Sequence, residues 1–173
     1  MCGNPPSRVL RLVLARASGK ITLLMADLSF EQEISAPAKI VGAFFVPHRM
    51  GAWYGCEMDL QFEVQGGAVE FRNGLKVRLT GRLGRREVTH TAVVTEFERG
   101  RVLEWQFQDA YGVRGTQRWE IETTETGSRV RMRDRYEMPG RIPKILDWLL
   151  TRHAVARRDR AELARLKRLV EHS

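Results

Sequence analysis

The chain has 173 residues and a mass of 19.9 kDa, is 43% hydrophobic and 29% charged, and carries a formal net charge of +8. That length supports one domain with a sizeable core, and that composition excludes a disordered, collagenous or coiled-coil protein. Apolar runs such as Ile21–Met25 and Ile145–Leu150 are far shorter than the roughly 20 residues of a membrane span.

Residues 1–24 carry a charge of +4, residues 25–138 a charge of −1 and residues 139–173 a charge of +5. A near-neutral body with basic ends does not demand a nucleic-acid partner, and none is expected. Cys2 and Cys56 form no CxxC pair, which points to a reducing cytoplasm without a structural disulfide. His48, His90, His153 and His172 never fall at i, i+2 or i+4, so no metal site is expected. GxSxG, GxGxxG and Walker-type motifs are missing from the sequence, and no cofactor is expected.

In chain order, residues 1–24 read as a basic N-terminal extension. They are expected to be disordered, or to lie ahead of a true start at Met25. Leu28–Ile34 is the first strand candidate. Ser35-Ala36-Pro37 then reads as a helix start, with a capping hydroxyl and a proline in the first turn. Val41, Phe44 and Phe45 give that short helix one apolar face, and Pro47 is expected to end it.

Six strands are predicted next, over Glu57–Val64, Leu75–Leu83, Glu87–Phe97, Val102–Gln108, Val113–Thr123 and Arg129–Met138. Short glycine-bearing turns such as Asn73-Gly74 and Thr126-Gly127 separate most of them, which predicts an antiparallel meander. Val113, Gly115, Gln117, Trp119 and Ile121 alternate with polar residues, as do Val130, Met132, Asp134, Tyr136 and Met138. One face is therefore core and the other wet. Arg129, Arg131, Arg133 and Arg135 fall on the wet face, where Glu120 and Glu122 of the neighbouring strand are placed to pair with them. A long amphipathic helix is predicted from about Ile142 to Glu171. Its stripe is Ile142, Leu149, Ala156, Leu163 and Val170, widened by Ile145, Leu146, His153 and Leu166.

Several phrases stand in a characteristic order. These are Glu33-Ile34-Ser35-Ala36-Pro37-Ala38-Lys39-Ile40-Val41, then Trp53, then Arg101-Val102-Leu103-Glu104-Trp105, then Gly127-Ser128-Arg129-Val130, and finally the close from Leu163 to Glu171. Over residues 28–171 the chain resembles the START/birch-pollen-allergen-like (SRPBCC) superfamily. Within it the chain is most similar to the polyketide cyclase/dehydrase and lipid-transport branch. The resemblance implies an α+β helix-grip fold: a curved antiparallel sheet of about seven strands around a long C-terminal helix, with two short helices after strand 1. Residues 25–173 would then be a single ligand-binding domain with an apolar cavity between sheet and helix.

Asp134 and Gln117 are polar residues in register with apolar neighbours, which suits a pocket with a few orienting contacts. Trp53, Trp105, Phe107, Tyr111, Trp119 and Tyr136 are the aromatic candidates for its lining, and His153 is a candidate from the helix stripe. His153, His90, Asp134 and Tyr136 are the candidate acid–base groups. His90 has no settled facing, since Val88/His90/Ala92/Val94 and Thr89/Thr91/Val93/Phe97 both make acceptable inner faces. The leading expectation is binding or transport of a small hydrophobic molecule such as a lipid, isoprenoid or polyketide. The alternatives are a polyketide cyclase/dehydratase-type enzyme, and an interaction protein of antitoxin or ribosome-associated type acting through a basic helix strip.

Overall fold

The computed structural model describes residues 24–55, 59–83, 86–109, 112–138 and 145–173. Residues 1–23 of the predicted extension, Cys56 and Tyr111 lie outside these residues. The strands are β1 (Leu24–Ile34), β2 (Gln61–Val64), β3 (Lys76–Leu83), β4 (Arg86–Glu98), β5 (Val102–Asp109), β6 (Arg114–Thr124) and β7 (Gly127–Met138). Two short helices, α1 (Ala38–Gly42) and α2 (Pro47–Met50), follow β1, and α3 (Ile145–Glu171) closes the chain. All neighbours in the seven-stranded sheet are antiparallel, in the order β1-β7-β6-β5-β4-β3-β2. β2 to β7 form the predicted meander, and β1 returns to pair with β7 along its whole length, Ile34 opposite Ser128 and Leu24 opposite Met138.

Three local expectations are corrected. β1 begins at Leu24, four residues before the predicted strand, because Leu24–Asp27 find partners on β7 that local sequence does not reveal. Ser35 does not cap α1: Pro37 is the capping residue, and the Ser35 amide instead donates to Glu171 Oε1 at 2.8 Å. Pro47 does not end α1, which stops at Gly42, but opens α2, since a proline lacks the N–H that a first helical turn leaves unused.

Buried tryptophans build one end of the core. Trp53, Trp105 and Trp119 are wholly buried, with the Trp105 and Trp119 rings 4.8 Å apart and edge-on at 80°. Phe45, Tyr54 and Phe71 join them, and Leu163, Leu166 and Val170 of α3 belong to the same cluster. The C-terminal half of α3 is tied down from outside this cluster. Arg165 Nε donates to Ala52 O at 2.7 Å, Lys167 Nζ to Glu33 O at 2.9 Å, and Glu171 holds Ser35.

The predicted wet face carries an arginine ladder. Arg129 meets Glu33 at 2.6 Å, Arg131 meets Glu31 at 2.8 Å and Glu122 at 3.1 Å, and Arg135 meets Asp27 at 3.0 Å. Pairing thus runs to Glu122 of β6, as the alternation predicts, and equally to β1. Farther across the sheet, Arg118 gathers Glu96, Glu104 and Glu120.

Candidate functional site

Antiparallel register sorts the inward side chains into rows that cross the sheet. One row runs Leu28, Asp134, Gln117, Trp105, Val94, and the next runs Ala26, Tyr136, Gly115, Phe107, Ala92. His90 lies two residues beyond Ala92 on the same face of β4 and 6.0 Å from the Phe107 ring. Its facing is therefore the Ala92/Val94 set, and Val93 is only half-buried where Ala92 and Val94 are fully so.

The rows differ in packing. Trp105, Val94, Trp119 and Met132 are buried, whereas Phe107, Val113 and His90 are inward-facing but only half-buried. Against this looser end sit Val155 and Ala156 of α3, also half-buried, with Ala26, Leu28 and Tyr136 as the apolar wall. The interior is thus a tight aromatic end and a looser apolar end, with the polar row of Gln117 and Asp134 between them.

That polar row meets three charged residues of α3. Asp134, Asp159 and Glu162 are each at most 1% exposed. Arg158 reaches across them: its Nη2 and Nε donate to Asp159 Oδ1 at 2.8 and 3.0 Å, its Nη2 lies 3.6 Å from Asp134 Oδ2, and its Nε lies 3.6 Å from Glu162 Oε1. The Gly55 amide donates to Glu162 Oε1 at 2.9 Å. Gly55 has a φ of 66°, a left-handed turn that glycine adopts without strain and that aims this N–H into the core. Tyr54 Oη donates to Gln117 Oε1 at 2.6 Å, and Trp105 Nε1 donates to the same oxygen at 3.3 Å.

Three carboxyls surround one guanidinium, so full ionisation would leave the cluster two negative charges in excess. Burial resists that. It pushes the Asp134 carboxyl up to about 8, with the Asp159 charge adding to it and Arg158 opposing it. Burial likewise pushes Glu162 up to about 8 against the pull of Arg158. Asp159 is also raised by burial, opposed by its direct contact with Arg158. Tyr54 is raised by burial and then by the nearby Glu162. At neutral pH this leaves two protonated carboxyls, Asp134 and Glu162, beside the hydrogen-bonded Arg158–Asp159 pair. His90 is lowered by burial and, less, by Arg158, against the raising effect of Asp109, so it is a neutral imidazole at pH 7.

The structure thus brings Asp134, Gln117, Tyr136, Phe107 and His90 of the predicted set to one region. Trp53, Trp105 and Trp119 stand behind it as packed core. His153 is not among them. It is exposed on α3, because the buried stripe runs through Asp159, Glu162, Leu163, Leu166 and Val170. At about 100° per residue this face is rotated away from His153, toward the Leu166 side of the predicted stripe.

Sequence reasoning missed Tyr54, Arg158, Asp159 and Glu162. Acids in an amphipathic helix are ordinarily read as solvent-facing, and that reading hid the stripe. The available signal was spacing: Asp159 and Glu162 stand four residues before Leu163 and Leu166.

A family model described as "Polyketide cyclase / dehydrase and lipid transport" matches residues 25–171. The chain belongs to this family. No curated protein matches its sequence. Among solved structures, a protein from Rhizobium leguminosarum superposes with a TM-score of 0.68 at 14% identity, over 88% of this chain and 99% of that one. Ara h 8.0201 gives 0.65 at 11% identity, over 86% and 99%. DynU16, a protein of the dynemicin biosynthetic locus, gives 0.58 at 17% identity, over 84% of this chain and 47% of that one. At such identities these likenesses show the fold alone: the helix-grip fold of the SRPBCC superfamily, here in a polyketide cyclase/dehydrase and lipid transport family member whose sheet and helix enclose a buried charge cluster. Among the described residues no helix is long and apolar enough to cross a membrane.

Proposed function

We propose that this chain binds or carries a small hydrophobic molecule, of lipid, isoprenoid or polyketide type, between the sheet and the N-terminal half of α3. The observation that carries the reading is the contrast within one inner face. Phe107, Val113 and His90 point inward yet stay half-buried, while the adjacent rows are closed. An interior side chain that remains open to solvent in a close-packed molecule marks where an apolar partner would gain most from burial, at about 25 cal/mol per Å2. Membership of the family supports the same class of ligand. Residues 25–173 would form the whole binding domain, working in the cytoplasm.

Two measurements test it. Native mass spectrometry of protein purified from its own host should reveal a bound small molecule that denaturation releases. The neutral dye Nile red should brighten with the wild-type chain and much less with Val113→Trp, which fills the looser end, at unchanged near-ultraviolet circular dichroism. A clean unliganded mass together with no response to Nile red would overturn the reading.

One observation favours a second reading, that of a cyclase/dehydratase-type enzyme. Asp134 keeps its proton at neutral pH, one row from the looser end, and so could serve as an acid toward a bound carbonyl. Turnover of the released ligand by wild type, lost in Asp134→Asn with binding retained, would distinguish enzyme from carrier. The interaction-protein reading has less support. The β7 arginines are paired with acids, and on α3 Arg165 is bonded to Ala52.

A further inference from the structure

Three buried carboxyl oxygens, Asp134 Oδ1, Asp159 Oδ2 and Glu162 Oε2, have no hydrogen-bond partner. Such a group ordinarily costs about 1–3 kcal/mol, and more when charged. All three belong to residues that touch Arg158, and Arg158 is already bonded to Asp159. The cluster therefore has acceptors to spare, and the guanidinium at its centre is committed. Asp134 is 1% exposed on the inner face of β7, one inward step from Tyr136 in the apolar wall. Its unpartnered oxygen accordingly lies in the interior between sheet and helix, on the side that Arg158 of α3 approaches.

From this we infer that the polar end of the cavity selects a ligand whose head group donates hydrogen bonds and carries positive charge, a protonated amine, and discriminates against carboxylates. The inference rests on the ligand-carrying reading above. An ammonium brings up to three N–H donors and one positive charge, which answers both the unpartnered acceptors and the excess of acids. A carboxylate brings neither. Among the described residues the one further cation whose charge reaches the cluster is Arg160 of α3, which is exposed, lies over the Phe30 ring and acts on Asp159. From the sheet side come Asp134, Gln117, Tyr136 and, farther off, Asp109 and the neutral His90; from the turn after α2 comes Tyr54; from α3 come Arg158, Asp159 and Glu162. Asp27 of β1 adds a further negative field at Asp134. Because Asp134 and Glu162 hold protons at neutral pH, an ammonium must displace at least one of them. Amine affinity therefore rises as the pH rises toward 8, and protons are released on binding.

The test uses the full chain and three probes of equal length: octylamine, octanol and octanoate, competing with Nile red and titrated calorimetrically at pH 6 and pH 8. Octylamine stays cationic and octanoate anionic over that range. Octylamine is expected to bind about tenfold or more tighter than octanoate at pH 8, with octanol between them. The octylamine affinity is expected to rise from pH 6 to pH 8 with proton release, and that of octanol to stay level. Asp134→Asn should weaken octylamine and spare octanol; since the wild-type comparison needs no variant, a misfolded Asp134→Asn would not decide the matter. Octanoate binding as tightly as octylamine, three equal affinities, or an octylamine affinity flat in pH would each overturn the inference and leave the carrier reading standing. If none of the three displaces a dye that the wild-type chain binds, the head-group inference fails; if the dye itself does not bind, the carrier reading fails.

Discussion

Glu162→Gln is the sharpest probe of the buried cluster. The Glu162 carboxyl titrates ordinarily at 4.5 and is pushed up to about 8 by burial in the folded chain. Between those values the unfolded chain has released the proton and the folded chain has not. The unfolded state binds fewer protons there, so stability falls as pH rises from about 4.5 to about 8. At about 1.4 kcal/mol per pH unit, the two and a half units between 4.5 and pH 7 set a ceiling of about 3 kcal/mol on the penalty. Glutamine keeps the oxygen that accepts the Gly55 amide and removes the ionisation. Glu162→Gln is therefore expected to be more stable than wild type at pH 7 by up to about 3 kcal/mol, and nearly equal to it at pH 4.5. Urea unfolding followed by the emission of the buried tryptophans measures both. The wild-type stability should decline between pH 5 and pH 8, and the variant should decline less, Asp134 still contributing. A variant several kcal/mol less stable than wild type at pH 7 would refute the reasoning. It would mean that Glu162 is ionised and held by Arg158, since breaking a buried ion pair costs about 3–5 kcal/mol.

Four further outcomes are expected. Leu166→Ala, at a fully buried position under the tryptophans, should cost about 2–5 kcal/mol in urea unfolding; a loss well below that range would mean the helix packs loosely there. Gly115→Ala should cost at least about 1–3 kcal/mol, because its Cβ would stand 2.1 Å from the Arg135 carbonyl oxygen and 2.9 Å from Phe107, and a neutral result would contradict the β6–β7 geometry. Arg118→Ala should cost about 1 kcal/mol at low salt and less at high salt, as Glu96, Glu104 and Glu120 lose their shared partner; a salt-independent loss would count against the network. His153→Ala should leave Nile red binding unchanged, and a large drop would restore His153 to the cavity.

Local chemistry made most of the fold legible. The inward sets on β6 and β7 follow from alternation, because side chains on a strand point to opposite faces with a period of two. The turns follow from glycines where the chain reverses, and the long helix follows from its apolar spacing. Those same patterns placed Gln117 and Asp134 on the inner face before any coordinates. The wet-face arginines on β7 were equally readable, since Glu122 of β6 stands within reach of them.

Tertiary structure decided the rest. Pairing of β1 with β7 joins residues about a hundred positions apart, and nothing local announces that Leu24–Asp27 extend the strand. The rotation of α3 was likewise set by the sheet beneath it. An isolated helix would turn Asp159 and Glu162 to water, and the Gly55 amide and Arg158 make their burial tolerable. That burial is what raises their affinity for protons, because desolvation is a property of the assembled interior and not of the residue. The sequence alone therefore determined which faces are apolar and which polar residues lie among them. The packing of helix on sheet determined which charges are hidden together, and so what chemistry the interior presents.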